Sequence, residues 1–107
     1  MMFVRCVSSH LKQNKSAKEA VQLLESKVLP LLSRYHGFRE AMALTPHEGN
    51  EMLAISIWES REDAEAYQRE ALPEVMRILA DYIDGTPQIK TYDLSYSTIH
   101  RASATGA

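Results

Sequence analysis

Cysteine occurs once in this 107-residue chain, at Cys6. A lone cysteine excludes an internal disulfide and any multi-cysteine metal site. It sits in a short apolar strand pattern with no helix start or cationic cluster beside it, so a buried, inert thiol is expected. Excess charge of one sign is lacking as well: 12 Lys and Arg stand against 14 Asp and Glu, a formal charge of −2. Nothing resembles the basic footprint that phosphate backbones require, and nucleic acid is not expected as a partner. No apolar run approaches the roughly 20 residues of a membrane span. The opening MMFVRCVSSHLK lacks a basic region followed by an apolar one, so a cytoplasmic protein without a membrane partner is expected. No repeat or low-complexity linker appears, and the length suits one small domain, read as residues 1–97 with a tail at 98–107 that loses apolar content.

Within those limits the elements follow from pattern. MFVRCVS, about residues 2–8, reads as a first strand and HLKQNK as a polar connection. Ser16 and Glu19 form the S-x-x-E of a capping box. Val21, Leu24, Val28, Leu32 and Tyr35 then recur at helical spacing, predicting a helix to about His36 with Gly37 as its cap. Pro30 falls inside it and predicts a kink near Lys27 or a break. FREAMALT and EMLAISIW flank the turn chemistry of PHEGN and read as a hairpin. Ser60 with Asp63 opens a second helix bearing Ala64, Tyr67 and Ala71. Leu72-Pro73 interrupts it, and a fresh segment with Val75, Met76, Leu79 and Ile83 is expected up to a cap at Gly85. PQIKTYDLS supplies the last strand.

The order β-α-β-β-α-β is the split βαβ arrangement of ferredoxin-like α+β folds, four antiparallel strands with both helices on one face. LAISI in the third strand is apolar on both sides, where a sheet wet on one face should alternate. With no spare segment except the short tail to cover the second face, a two-fold homodimer packed sheet to sheet is the expected solution.

Gly37-Phe38 after the first helix, ISIWESREDAEAY at 55–67 and the late PQIKTYDLS together resemble the dimeric α+β barrel group, in particular antibiotic-biosynthesis-monooxygenase-like domains, through Ser97. The resemblance implies a ligand between helices and sheet. It also implies cofactor-independent oxygenation of a small aromatic, quinol or polyketide-like substrate, with a noncatalytic small-molecule-binding dimer as the alternative. The haem-degrading branch of the group uses an asparagine, a tryptophan and a ligating histidine. Here the first strand has no asparagine, Tyr67 stands near the tryptophan's place, and residues 60–85 contain no histidine, so haem ranks third. No cofactor and no metal are expected.

Trp58, at the end of its strand, suits a shield over the strand-to-helix corner with its N–H in water. Tyr67 shares its helical stripe with the small Ala64 and Ala71, which lets its ring approach the sheet. Trp58, Tyr67 and Met76 are the expected cavity walls, and Ser8 or His10 the expected polarity at its mouth. His10 is the candidate base, since an unperturbed imidazole can take a proton near neutral pH. Ser8 shares its strand side, but no third group orients the two as a nucleophile pair. The spacing of His10, His36, His47 and His100 matches no metal motif. His36 suits capping of the first helix's last carbonyls. Glu65 and Arg69 suit an i,i+4 pair. Arg5, Arg39 and Lys90 lie within strands, where a charge is expected to pair across the dimer or reach an edge.

Overall fold

The two serines read as helix starts are helix starts. The computed structural model describes residues 1–100, so the expected tail lies outside the described residues from 101 onward. Ser16 accepts from the Glu19 backbone N–H at 3.1 Å, while the Glu19 carboxylate reaches back to the Ser16 N–H, and α1 (Ala17–Leu23) begins there. The helix does not continue regularly. A π-helical segment (Leu24–Val28) precedes α2 (Leu29–Ser33), so the disruption announced by Pro30 falls around Lys27 as expected. α2 ends at Ser33, earlier than His36. The N–H groups of Arg34 and Tyr35 tighten back onto the carbonyls of Leu31 and Leu32 at 3.3 and 3.1 Å, closing the helix before Gly37.

Gly37 serves a different purpose. Its φ is +85°, and a Cβ there would lie 2.1 Å from Asp63 Oδ2. Only glycine allows the chain to pass so close to the first turn of the second helix.

That helix, α3 (Arg61–Leu79), is capped by Ser60, whose Oγ accepts from the Asp63 N–H at 3.2 Å. It runs unbroken through Pro73, against the expectation of a fresh segment there. Pro73 is exposed, so the carbonyl it frees one turn back faces solvent and not the core. Ile83 is not on this helix. It opens β4 (Ile83–Asp93), and Gly85 lies inside that strand rather than capping α3.

The strands β1 (Phe3–Leu11), β2 (Phe38–Leu44), β3 (Glu51–Trp58) and β4 form one antiparallel sheet in the order β2-β3-β1-β4. β1 extends three residues beyond its expected end, because Leu11 is fully buried with Ala20 and Met52. Between Ser8 and His10 the register against β4 slips, Ser8 facing Gln88 and His10 facing Asp84. The surplus residues on β4 include Gly85 at φ +76°, which is bulge geometry.

Alternation then sorts the side chains. Phe3, Arg5, Val7, Ser9 and Leu11 share the face beneath the helices with their β3 partners Trp58, Ser56, Ala54 and Met52. Phe3, Trp58, Tyr67, Val28, Leu32 and Val75 form the centre of the core there. The opposite face bears Val4, Cys6, Ser8 and His10 from β1, Leu53 and Ile55 from β3, and Met42 and Leu44 from β2. Leu44 on this face and Tyr92 on β4 remain 48 % and 51 % exposed. Cys6 is therefore half-buried on the open face and not in the core, although burial still pushes its thiol pKa up.

The chain after β4 is anchored at two points. Leu94 N–H donates to the Met2 carbonyl at 2.8 Å, and His100 Nε2 lies 2.8 Å from Glu40 Oε1 on β2. It thus passes from one sheet edge to the other, with Tyr96 and Ile99 largely exposed along the way.

Candidate functional site

Between the helices and the sheet lies a cavity of about 370 Å³. Its floor is Val7, Ala54, Ala41 and Ala43, its roof Val28, Leu32, Val75 and Leu79, and the exposed Leu29 stands on its rim. The small alanines of β2 and β3 leave room beneath the π segment, whose Leu24, Glu25 and Val28 also line the space. The lining is mostly apolar, as small-molecule sites are. Four polar residues interrupt it: Arg5, Ser56, Tyr67 and Glu25.

Arg5 is 3 % exposed. Its Nε donates to Gln68 Oε1 at 3.2 Å, and its guanidinium carbon lies 5.4 Å from the centre of the Tyr67 ring, within cation–π reach. Nη2 is buried without a hydrogen-bond partner among the described residues. Burial pulls the Arg5 pKa down, and Tyr67 acts in the opposite sense. An arginine guanidinium nevertheless stays protonated at neutral pH. Arg5 is thus not at the dimer or at a sheet edge, where its strand position leads one to expect it, but beneath the helices. The missed signal was parity: Arg5 is two residues from Phe3 and six from Leu11, both core residues, and a strand ended at Ser8 hides the second.

Tyr67 lines the cavity. Its ring meets Tyr35 edge-on at 5.5 Å and Trp58 at 5.2 Å. Burial raises the phenol pKa, with Arg5 opposing, so Tyr67 presents a neutral hydroxyl. Met76 also lines the cavity. Trp58 stands behind Tyr67, 0 % exposed and 5.6 Å from Phe38, and does not reach the lining. Its N–H donates to Ser56 Oγ at 2.9 Å rather than to water. The corner shield is real, and its polar handle is internal.

Ser8 and His10 do not meet this cavity. They are on the other face of the sheet, and His10 is exposed opposite Glu51 and Asp84. Period two put them together correctly but could not say on which side. His10 therefore cannot serve as a base for a ligand under the helices of its own subunit.

His36 does not cap the first helix. Its Nδ1 lies 3.0 Å from Asp63 Oδ1, tying the end of the first helical region to the start of α3. That hydrogen bond raises the His36 pKa. It also lowers the Asp63 pKa, aided by the Ser60 hydroxyl and opposed by burial. The raised histidine stabilises fully below its unfolded value of about 6.5 and loses that contribution as pH rises through the folded pKa above it. The lowered aspartate contributes above its unfolded value of about 3.9 and loses this as pH falls through its folded pKa. The pair is therefore most stabilising between about pH 4 and 6.5, fading towards pH 8. The melting temperature of the wild type relative to His36→Gln is expected to fall from pH 6 to pH 8; a constant difference would contradict the pairing.

Neighbouring charges are engaged as well. Glu65 pairs with Arg61 at 3.5 Å and not with Arg69, and Arg39 meets Glu59 at 2.7 Å. Ligand atoms of His36, Glu59 and Asp63 lie within 4.8 Å of one another, but these contacts already occupy all three residues. Among the described residues, no helix is long and apolar enough to cross a membrane.

No family model matches the sequence, and no curated protein matches it. In fold, the chain is similar to the monooxygenase ActVA-Orf6 of Streptomyces coelicolor, solved with nanaomycin D, at 16 % identity and TM-score 0.76 over 92 % of each chain. It is similar to SnoaB, a cofactor-independent oxygenase from Streptomyces nogalater, at 12 % identity and TM-score 0.72, covering 92 % of this chain and 98 % of that one. A dimeric ferredoxin-like protein of unknown function from Bacteroides fragilis aligns at 17 % identity and TM-score 0.63, covering 87 % and 96 %. The resemblance to antibiotic-biosynthesis-monooxygenase-like proteins holds at the level of the fold.

Proposed function

We propose that the protein is a monooxygenase that oxidises a small aromatic, quinol or polyketide-like molecule in the cavity beneath its helices, as a homodimer. The observation that carries the reading is the cavity itself, an apolar chamber of about 370 Å³ with an aromatic wall and a few buried polar groups. Similarity in fold to oxygenases, one of them solved with nanaomycin D, supports the class. In the reaction we envisage, an activated ring CH₂ loses a proton, and the resulting carbanion reduces oxygen. One oxygen atom becomes the new carbonyl and the other leaves as water, so the four electrons lost by carbon are those gained by O₂. Glu25 is the carboxylate among the lining residues and is the candidate proton acceptor. Tyr67 orients the ring by contact and by its hydroxyl.

The dimer is supported by the open face, where Met42, Leu44 and Tyr92 are exposed around Leu53 and Ile55. A second copy covers such a face most economically.

The test is substrate-dependent oxygen uptake by chelator-treated protein across a panel of quinols and polyketide-like phenols. Uptake is expected with at least one member, reduced by Glu25→Gln and Tyr67→Phe and unchanged in His10→Ala. No uptake across the panel, with saturable binding retained, would replace the oxygenase by the noncatalytic binding dimer.

A further inference from the structure

Arg5 has more hydrogen-bonding capacity than the protein uses. Its guanidinium lies beneath the helices with Gln68 on Nε, the Tyr67 ring at 5.4 Å and no carboxylate in a salt bridge with it among the described residues. The buried Nη2 has no partner there. A buried cation whose donors are not all paired is costly, and such a group is expected where a ligand completes it. Apart from Tyr67, Ser56, whose Oγ already accepts from Trp58, and the exposed Glu25, the remaining lining is apolar.

We infer that Arg5, a buried cation that lines the cavity without a carboxylate partner among the described residues, holds an ionised oxygen of the ligand through its guanidinium, which makes the substrates planar apolar acids: phenols, enols and hydroxyquinones that bind as their anions. The inference rests on the reading of the cavity as the ligand site and adds a selectivity to it. The Tyr67 ring, 5.4 Å from the guanidinium carbon, helps hold it in place, and beside a mostly apolar lining a charge-assisted hydrogen bond to the anion is strong. Binding the anion also favours the ionised form from which the carbanion chemistry starts.

A matched pair of probes tests this by calorimetry: 2-hydroxy-1,4-naphthoquinone, ionised at neutral pH, and its methyl ether, which cannot ionise. The wild type is expected to prefer the anion by about ten- to a hundredfold, the worth of one hydrogen bond to a charged group. Arg5→Met, close in volume, is expected to lose that preference while still binding the ether, and Arg5→Lys to keep part of it. Equal affinity of the wild type for both probes would overturn the inference alone, whether or not Arg5→Met folds, as would an anion preference surviving in a folded Arg5→Met. Failure of both probes to bind would overturn the ligand site as well.

Discussion

Trp58→Ala is expected to reduce the free energy of unfolding by about 3–5 kcal/mol, the range for removing a large aromatic from a packed core. Trp58 is fully buried, its ring lies against Phe38 and Tyr67, and its N–H satisfies Ser56. Truncation therefore opens a void where β2, β3 and α3 meet and strips the Ser56 hydroxyl of its partner. A domain of this length is stable by only about 5–15 kcal/mol in total, so a measurable unfolded fraction is expected without denaturant at the low end of that range. Urea denaturation followed by circular dichroism measures it, since the variant has no tryptophan. Trp58→Phe should lose less, keeping most of the apolar contact. A loss below about 1 kcal/mol for the alanine variant would contradict the role given to this joint.

The second large effect concerns assembly. Ile55→Glu is expected to convert a dimer into a monomer at micromolar concentration, because Ile55 is opposite Cys6 and Met42 on the open face and a carboxylate there would be desolvated in a sheet-to-sheet interface. Its side chain leaves the helix-facing core untouched, so the monomer should keep its secondary structure. Size-exclusion with light scattering decides. A wild type that elutes as a monomer, or a variant that remains a dimer, would contradict the proposed interface.

Much of this fold was legible because its signals are local. Ser16 with Glu19 and Ser60 with Asp63 mark helix starts through their own backbone, and the proline near Lys27 disturbs the helix wherever the helix packs. Element ends were less legible because tertiary contacts set them. Leu11 prolongs β1 by being buried against Met52 and Ala20, and α3 runs past Pro73 because that residue faces outward. The site was half legible. Tyr67 and Met76 are on a helical stripe whose inner side is unambiguous, and both line the cavity. The two faces of β1 are both of mixed polarity, Phe3, Arg5, Val7, Ser9 and Leu11 against Val4, Cys6, Ser8 and His10. Alternation alone could not say which set lies under the helices, so Ser8 and His10 took the place that belongs to Arg5 and Ser56.

The central claim, that the cavity beneath the helices is where a ligand binds, is tested most directly by titrating 2-hydroxy-1,4-naphthoquinone while following the fluorescence of Trp58, the chain's one tryptophan. Its ring lies 5.2 Å from that of Tyr67, immediately behind the cavity wall. Saturable quenching is predicted for the wild type and its loss for Ala54→Phe, which fills the cavity floor and should retain its circular dichroism. Quenching that fails to saturate in the wild type, or that is the same in a folded Ala54→Phe, would contradict the account.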